Sequence, residues 1–153
     1  MKTTKQYGKK TDLALSTWVK LARAFSTINK KSVESIRSFE LTQPQFSVIE
    51  SLGHLGSMKV GELCDKMLVS GGNMTLVLDN LEKNDLIERI HSKEDRRAII
   101  VQLTANGKKL FQKVFKKHAE NITELITVLS EEEQIQLSDL LKKLGLAIID
   151  KTK

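Results

Sequence analysis

Between residues 59 and 103 the hydrophobic pattern changes period, and few folds accommodate that change in so short a span. Val60, Leu63, Cys64 and Met67 recur at helical steps, and after Val69-Ser70-Gly71-Gly72 so do Met74, Val77, Leu78 and Leu81. Residues 86–91 and 98–103 are instead short runs rich in β-branched residues, separated by the polar stretch Ser92-Lys-Glu-Asp95-Arg96-Arg97. The pattern predicts two short helices joined by a tight turn, then a β-hairpin with charges at its tip. Core packing does not explain arginines at such a tip.

The rest of the chain reads as helix. Over 11–38 an apolar stripe runs through Ala14, Trp18, Leu21, Ala22, Phe25, Ile28, Val33 and Ile36. A second helix starts near Thr42, a capping residue, with Pro44 in its first turn, where the missing N–H is harmless. Phe46, Ile49 and Leu52 form its buried face, and Gly53 and Gly56 mark its end. Thr104 caps a long helix reaching about Leu129, and Ser130-Glu-Glu-Glu133 is a capping box for the last one. The expected order is ααααββαα, mainly α with one small hairpin. The long terminal helices, within 11–40 and 105–150, have stripes too wide for a small central unit at 41–104 to cover. A twofold homodimer buries them economically.

Composition narrows the classes. At 40% hydrophobic and 29% charged, the 153 residues suit an ordinary folded chain. No apolar run approaches the roughly 20 residues that span a bilayer. The basic first ten residues lead into no apolar stretch of a secretory signal, so the expected location is cytoplasmic, with no membrane partner. The single Cys64 permits no internal disulfide, in keeping with a reducing compartment. The formal net charge of +6 invites a nucleic-acid partner, yet 57–103 holds seven basic and eight acidic residues. Any phosphate attraction there is local, from Arg89, Lys93, Arg96 and Arg97.

The spacing of the two short helices is that of a helix-turn-helix, whose second helix enters the major groove of double-stranded DNA. With Met74, Val77, Leu78 and Leu81 inward, Gly72, Asn73, Thr75, Leu76, Asp79, Asn80 and Lys83 face out. An Asn amide pairs bidentately with adenine, and a Thr methyl touches a thymine methyl. Ser70 and the amides of Gly71 and Gly72 suit a phosphate, although the same residues serve as an ordinary cap and turn. Arg96 and Arg97 suit a narrow minor groove, although charged turns also serve solubility. Asp95 and Asp79 are candidate carboxylate anchors for these arginines, Asp79 for Arg97 in particular.

The block from Val60-Gly-Glu-Leu-Cys through Ser70-Gly-Gly-Asn-Met-Thr-Leu-Val-Leu-Asp79, Asp95-Arg-Arg and Leu103-Thr-Ala-Asn-Gly107 resembles the MarR family of winged-helix transcriptional regulators. The resemblance covers nearly the whole chain. It implies a homodimer joined through terminal helices, a recognition helix in the major groove and a wing in the minor groove. It also implies, in many members, a response to small molecules or oxidants. Carried over by position, it makes Ser70, Asn73, Thr75, Arg96 and Arg97 the principal DNA contacts, with Gly72, Leu76, Asn80 and Lys93 beside them. Leu76 and Asn80 stand where many relatives carry basic residues.

Other chemistries find little support. Cys64 lies on the inward side of its helix and reads as a small packing residue. His54, His91, His118 and Cys64 lack metal-ligand spacing, and no phosphate-binding glycine loop, nucleophile elbow or triad pattern occurs. Neither a cofactor nor catalysis is expected. An apolar zone containing Trp18, Phe25, Phe39, Phe46 and His54 is a candidate pocket for a small apolar or aromatic effector, though aromatic residues at helical spacing also build cores. A protein-binding winged-helix module with little DNA affinity is the competing reading.

Overall fold

The computed structural model describes residues 6–67, 71–92 and 98–149. They form α1 (Lys9–Arg37), α2 (Gln43–Leu55), β1 (Met58–Lys59), α3 (Val60–Met67), α4 (Gly71–Lys83), β2 (Ile87–His91), β3 (Ile99–Leu103), α5 (Ala105–Ile126) and α6 (Glu131–Ile149). Two compact units divide the chain, one ending at His118 and the other starting at Ala119.

In the first unit, α1 stops where Glu40 takes a left-handed φ of 60°. Thr42 then caps α2 in a complete box: its hydroxyl accepts from the Gln45 amide at 3.4 Å, and the Gln45 side chain accepts from the Thr42 amide at 2.8 Å. Phe46, Val48, Ile49 and Leu52 of α2 are buried, and Gly56, at φ 81°, ends the helix.

The sheet has the order β1-β3-β2, antiparallel throughout. The expected hairpin is present, with Ile87 opposite Leu103 and Arg89 opposite Val101. Strand β1 is an addition: Met58 and Lys59 pair with Val101 and Ile100. Two residues carry no legible periodicity, so only the edge offered by β3 makes them a strand. Ile87, Val101 and Leu103 join Leu63, Met74, Leu78 and Leu81 in the core.

The start of α5 is tied to the turn before β2. Thr104 Oγ1 donates to the Asp85 carbonyl at 2.7 Å and accepts from the Gly107 amide at 2.9 Å. The Thr104 amide donates to the Leu86 carbonyl at 3.2 Å, and Asn106 Nδ2 to Asp85 Oδ2 at 2.6 Å. The Leu-Thr-x-x-Gly signature is therefore a docking joint between hairpin and helix.

The expected α1 stripe is covered only in part. Ser32 and Ile36 are buried, whereas Leu13, Leu15, Trp18, Val19 and Phe25 are exposed. In the second unit, the Ser130 amide donates to Glu133 Oε2 at 2.9 Å and the Glu133 amide to Ser130 Oγ at 3.3 Å, forming the expected box. Ile135, Leu137, Leu140, Leu141, Leu144 and Leu146 of α6 are exposed in the single chain.

Candidate nucleic-acid interface

Helix α4 divides cleanly into two faces. Met74, Leu78 and Leu81 are buried and Val77 half-buried, which leaves Gly72, Asn73, Thr75, Leu76, Asp79, Asn80 and Lys83 exposed, as the spacing predicts. The glycines at its start are open: a Cβ at Gly71 or Gly72 would meet nothing within 4 Å. Helix α3 supports α4 through Leu63, with Val60, Cys64 and Met67 half-buried against the same core. Cys64 thus has the packing role expected of it.

Two outward side chains of α4 are turned back on the helix. Thr75 Oγ1 donates to the Gly71 carbonyl at 3.1 Å, and Asn80 Nδ2 to the Leu76 carbonyl at 2.9 Å. Leu76 is 67% exposed. A recess of about 320 Å³ lies next to it, lined by Pro44, Met67, Gly72, Asn73, Met74, Leu76 and Val77.

Asp79 has a partner that the sequence reading missed. Arg89 of β2 donates to Asp79 Oδ1 at 2.6 Å, lies 3.3 Å from Glu82 Oε2 and reaches the Thr75 carbonyl at 3.4 Å. The Arg89 amide also donates to Glu82 Oε1 at 3.1 Å. One guanidinium thus joins two carboxylates and a helix carbonyl, linking α4 to the hairpin. Strand parity held the available signal. Arg89 is two residues from buried Ile87, so both point to the inner face, where a cation needs a carboxylate. Arg97, the partner expected for Asp79, lies outside the described residues, as do Ser70, Lys93, Asp95 and Arg96. Between the two strands the Ser92 amide donates to the Ala98 carbonyl at 2.9 Å.

The aromatic residues expected to line an effector pocket are not gathered into one site. Phe46 is buried in the core with Phe39 packed against it, whereas Trp18 and Phe25 are each 65% exposed. His54 instead meets Phe115 and Phe111, with ring centroids 4.3 and 5.0 Å away. Shared helical spacing on α1 and α2 does not make their apolar faces converge. A cleft of about 410 Å³ near His54 is lined by other residues, among them Leu52, Ser57, Gln102, Lys108 and Phe111. Among the described residues no cluster of three or more His, Cys, Asp or Glu is placed to hold a metal ion, and no helix is long and apolar enough to cross a membrane.

Comparison with known proteins agrees with this architecture. The MarR family profile matches residues 41–99. The HTH-type transcriptional regulator MhqR of Bacillus subtilis (strain 168) is 37% identical over 136 residues, covering 89% of this chain and 94% of that protein. The HTH-type transcriptional repressor MdtR of the same organism is 34% identical over 127 residues, covering 83% and 82%. Among solved structures, a mutant MarR from E. coli complexed with operator DNA superposes with a TM-score of 0.71 at 26% identity, covering 84% of this chain and 95% of that one. The chain belongs to the MarR family, a non-enzymatic family, and is a DNA-binding transcriptional regulator.

Proposed function

We propose that the chain is a homodimeric repressor that binds a pseudo-palindromic operator. In this reading α4 enters the major groove and the 93–97 wing reaches the minor groove. The carrying observation is the outer face of α4, exposed along its whole length while the inner face is locked into the core. Gly71 and Gly72 stand at the N-terminus of α4, where backbone amides suit an approaching phosphate, and Lys93, Arg96 and Arg97 supply the wing's positive charge. The uncovered apolar rows of α1 and α6 support the dimer, because a second copy removes them from water. A dyad between the copies sets half-sites about 10 bp apart, one helical turn. A small apolar or aromatic effector releases the DNA by favouring a spacing of the two α4 helices that the operator does not match. Trp18 and Phe25 line its site only if a second copy covers them.

A mobility-shift titration on genomic fragments at two salt concentrations, with sedimentation of the free protein, tests this reading. The expected result is a dimer that gives a saturable shift weakening steeply with salt. Arg97→Ala is expected to weaken binding by roughly 1–3 kcal/mol. A monomer, or no saturable shift on any fragment, overturns the proposal and favours a protein-binding module.

A further inference from the structure

We infer that the recognition helix selects A·T base pairs at the centre of each half-site, with Asn73 reading adenine and Leu76 reading the thymine methyl. The inference rests on the DNA-binding mode proposed above and adds the identity of the bases. The outward groups of α4 divide into those already engaged within the protein and those available for a base edge. The usual reader of guanine is an Arg or Lys bidentate to O6 and N7. From Gly72 to Lys83 the only cation is Lys83, the last residue of the helix, whereas base contacts come from the N-terminal part. Cytosine is read by a carboxylate accepting from its N4 amine. The carboxylate on this face, Asp79, is already engaged by Arg89 at 2.6 Å. Both G·C readers are therefore absent or occupied.

What remains suits A·T. Among the described residues the Asn73 amide has no protein hydrogen-bond partner, so its donor and its acceptor are both free for adenine N7 and N6. The Thr75 hydroxyl and the Asn80 amide N–H are committed to helix carbonyls. Leu76, 67% exposed, presents an isobutyl group where a polar reader would otherwise stand. Asn73 and Leu76 are neighbours at i, i+3, about 4.5 Å apart along the axis. That rise is close to the roughly 3.4 Å between successive bases of one strand, so the two side chains meet adjacent or next-adjacent base pairs. Leu76 in a groove gains from a thymine C5 methyl, the apolar group the major groove presents there, and gains nothing from cytosine.

The test uses the full-length protein. Binding sites are selected from a random duplex library. The selected half-site is then resynthesised with uracil for single thymines, which removes only the methyl, or with 7-deaza-adenine for single adenines, which removes only N7. A·T pairs are expected at the half-site centre. Uracil at one thymine is expected to weaken wild-type binding about fourfold, the transfer value of one methyl-sized group, and to leave Leu76→Ala unaffected. Asn73→Ala is expected to weaken binding roughly 5- to 150-fold and to lose discrimination at one base pair. Both side chains are exposed, so melting temperatures close to wild type confirm that the variants remain folded. Selected half-sites with central G·C pairs, or wild-type binding indifferent to uracil at every position, overturn the inference while leaving the DNA-binding mode standing. A library that yields no enriched site overturns both.

Discussion

Replacing Gly107 with alanine tests whether the joint between the hairpin and α5 is as tight as its geometry indicates. A Cβ built on Gly107 would lie 1.9 Å from the Leu86 carbonyl oxygen, 2.9 Å from the Leu86 carbonyl carbon and 3.3 Å from Leu103 Cδ2. A comfortable C···O approach is about 3.3 Å, so the helix or the turn must yield by more than an ångström. Neither is free to move. The Leu86 carbonyl accepts from the Thr104 amide, the Asp85 carbonyl from the Thr104 hydroxyl, and the Asp85 carboxylate from Asn106. Overpacking typically costs about 1–3 kcal/mol, and each hydrogen bond stretched to relieve it adds about 0.5–1.5 kcal/mol. Against this stands a gain of at most about 1 kcal/mol from replacing a helical glycine. The net expectation is a loss of roughly 2–4 kcal/mol, or a melting temperature lower by roughly 5–15 °C for a chain of this size. Thermal unfolding followed by circular dichroism at fixed protein concentration reads it directly. Gly61→Ala is the matched control: it is also helical, a Cβ there meets nothing within 4 Å, and a small stabilisation of about 0.5 kcal/mol is expected. If Gly107→Ala melts within about 2 °C of wild type, or higher, the contact is not tight and the reasoning fails.

Arg89→Met removes the bridge between β2 and α4. Its carboxylate partners are about half exposed, so the stability loss is expected to be near 1 kcal/mol after screening. DNA affinity is expected to fall further, because Asp79 and Glu82 are left unneutralised on α4, and adding Asp79→Asn should recover part of it. Equal affinity for wild type and Arg89→Met in the same DNA titration would remove the bridge from the binding mechanism. Thr42→Ala breaks the α2 capping box and is expected to lower stability by about 1 kcal/mol, seen as a shift of roughly 2–4 °C in the thermal midpoint. At the start of α6, the Glu132 carboxyl is held below its ordinary value by its own backbone N–H and then by the Ser130 hydroxyl. A lowered folded-state pKa means that this capping contribution is present above the unfolded value and lost as pH falls through the folded one. A carboxyl-resolved NMR titration should place Glu132 below an ordinary glutamate and return it toward that value in Ser130→Ala.

Several features of the fold were legible because their causes lie within a few residues. The period of Met74, Val77, Leu78 and Leu81 marks the buried face of α4, and the box residues Thr42 and Ser130 mark helix starts. The switch to β-branched runs places the hairpin. The outward face of α4 follows from the inward one by subtraction, which is why the exposure of Asn73, Thr75 and Leu76 was legible in the sequence. Strand β1 was not legible, since its two residues become a strand only beside β3. The exposure of Trp18 and Phe25 in the single chain was not legible for a related reason. Spacing shows that Trp18 and Phe25 share a helix face with Ile36, but not that the face loses its cover before reaching them.

Local pattern alone thus determined the helix-turn-helix, the hairpin, the capping residues and the wing's concentration of charge. Each depends on backbone preference and hydrophobic period, which act over one or two turns of chain. Only the tertiary structure decided that Arg89 engages Asp79, and that Gly107 is required by the Leu86 carbonyl. It also decided which of the outward groups on α4 remain free to read a base. These outcomes depend on distances between segments 10 to 21 residues apart, set by how α4 and α5 pack on the sheet. A carboxylate takes the nearest cation in space, and sequence separation does not measure that distance.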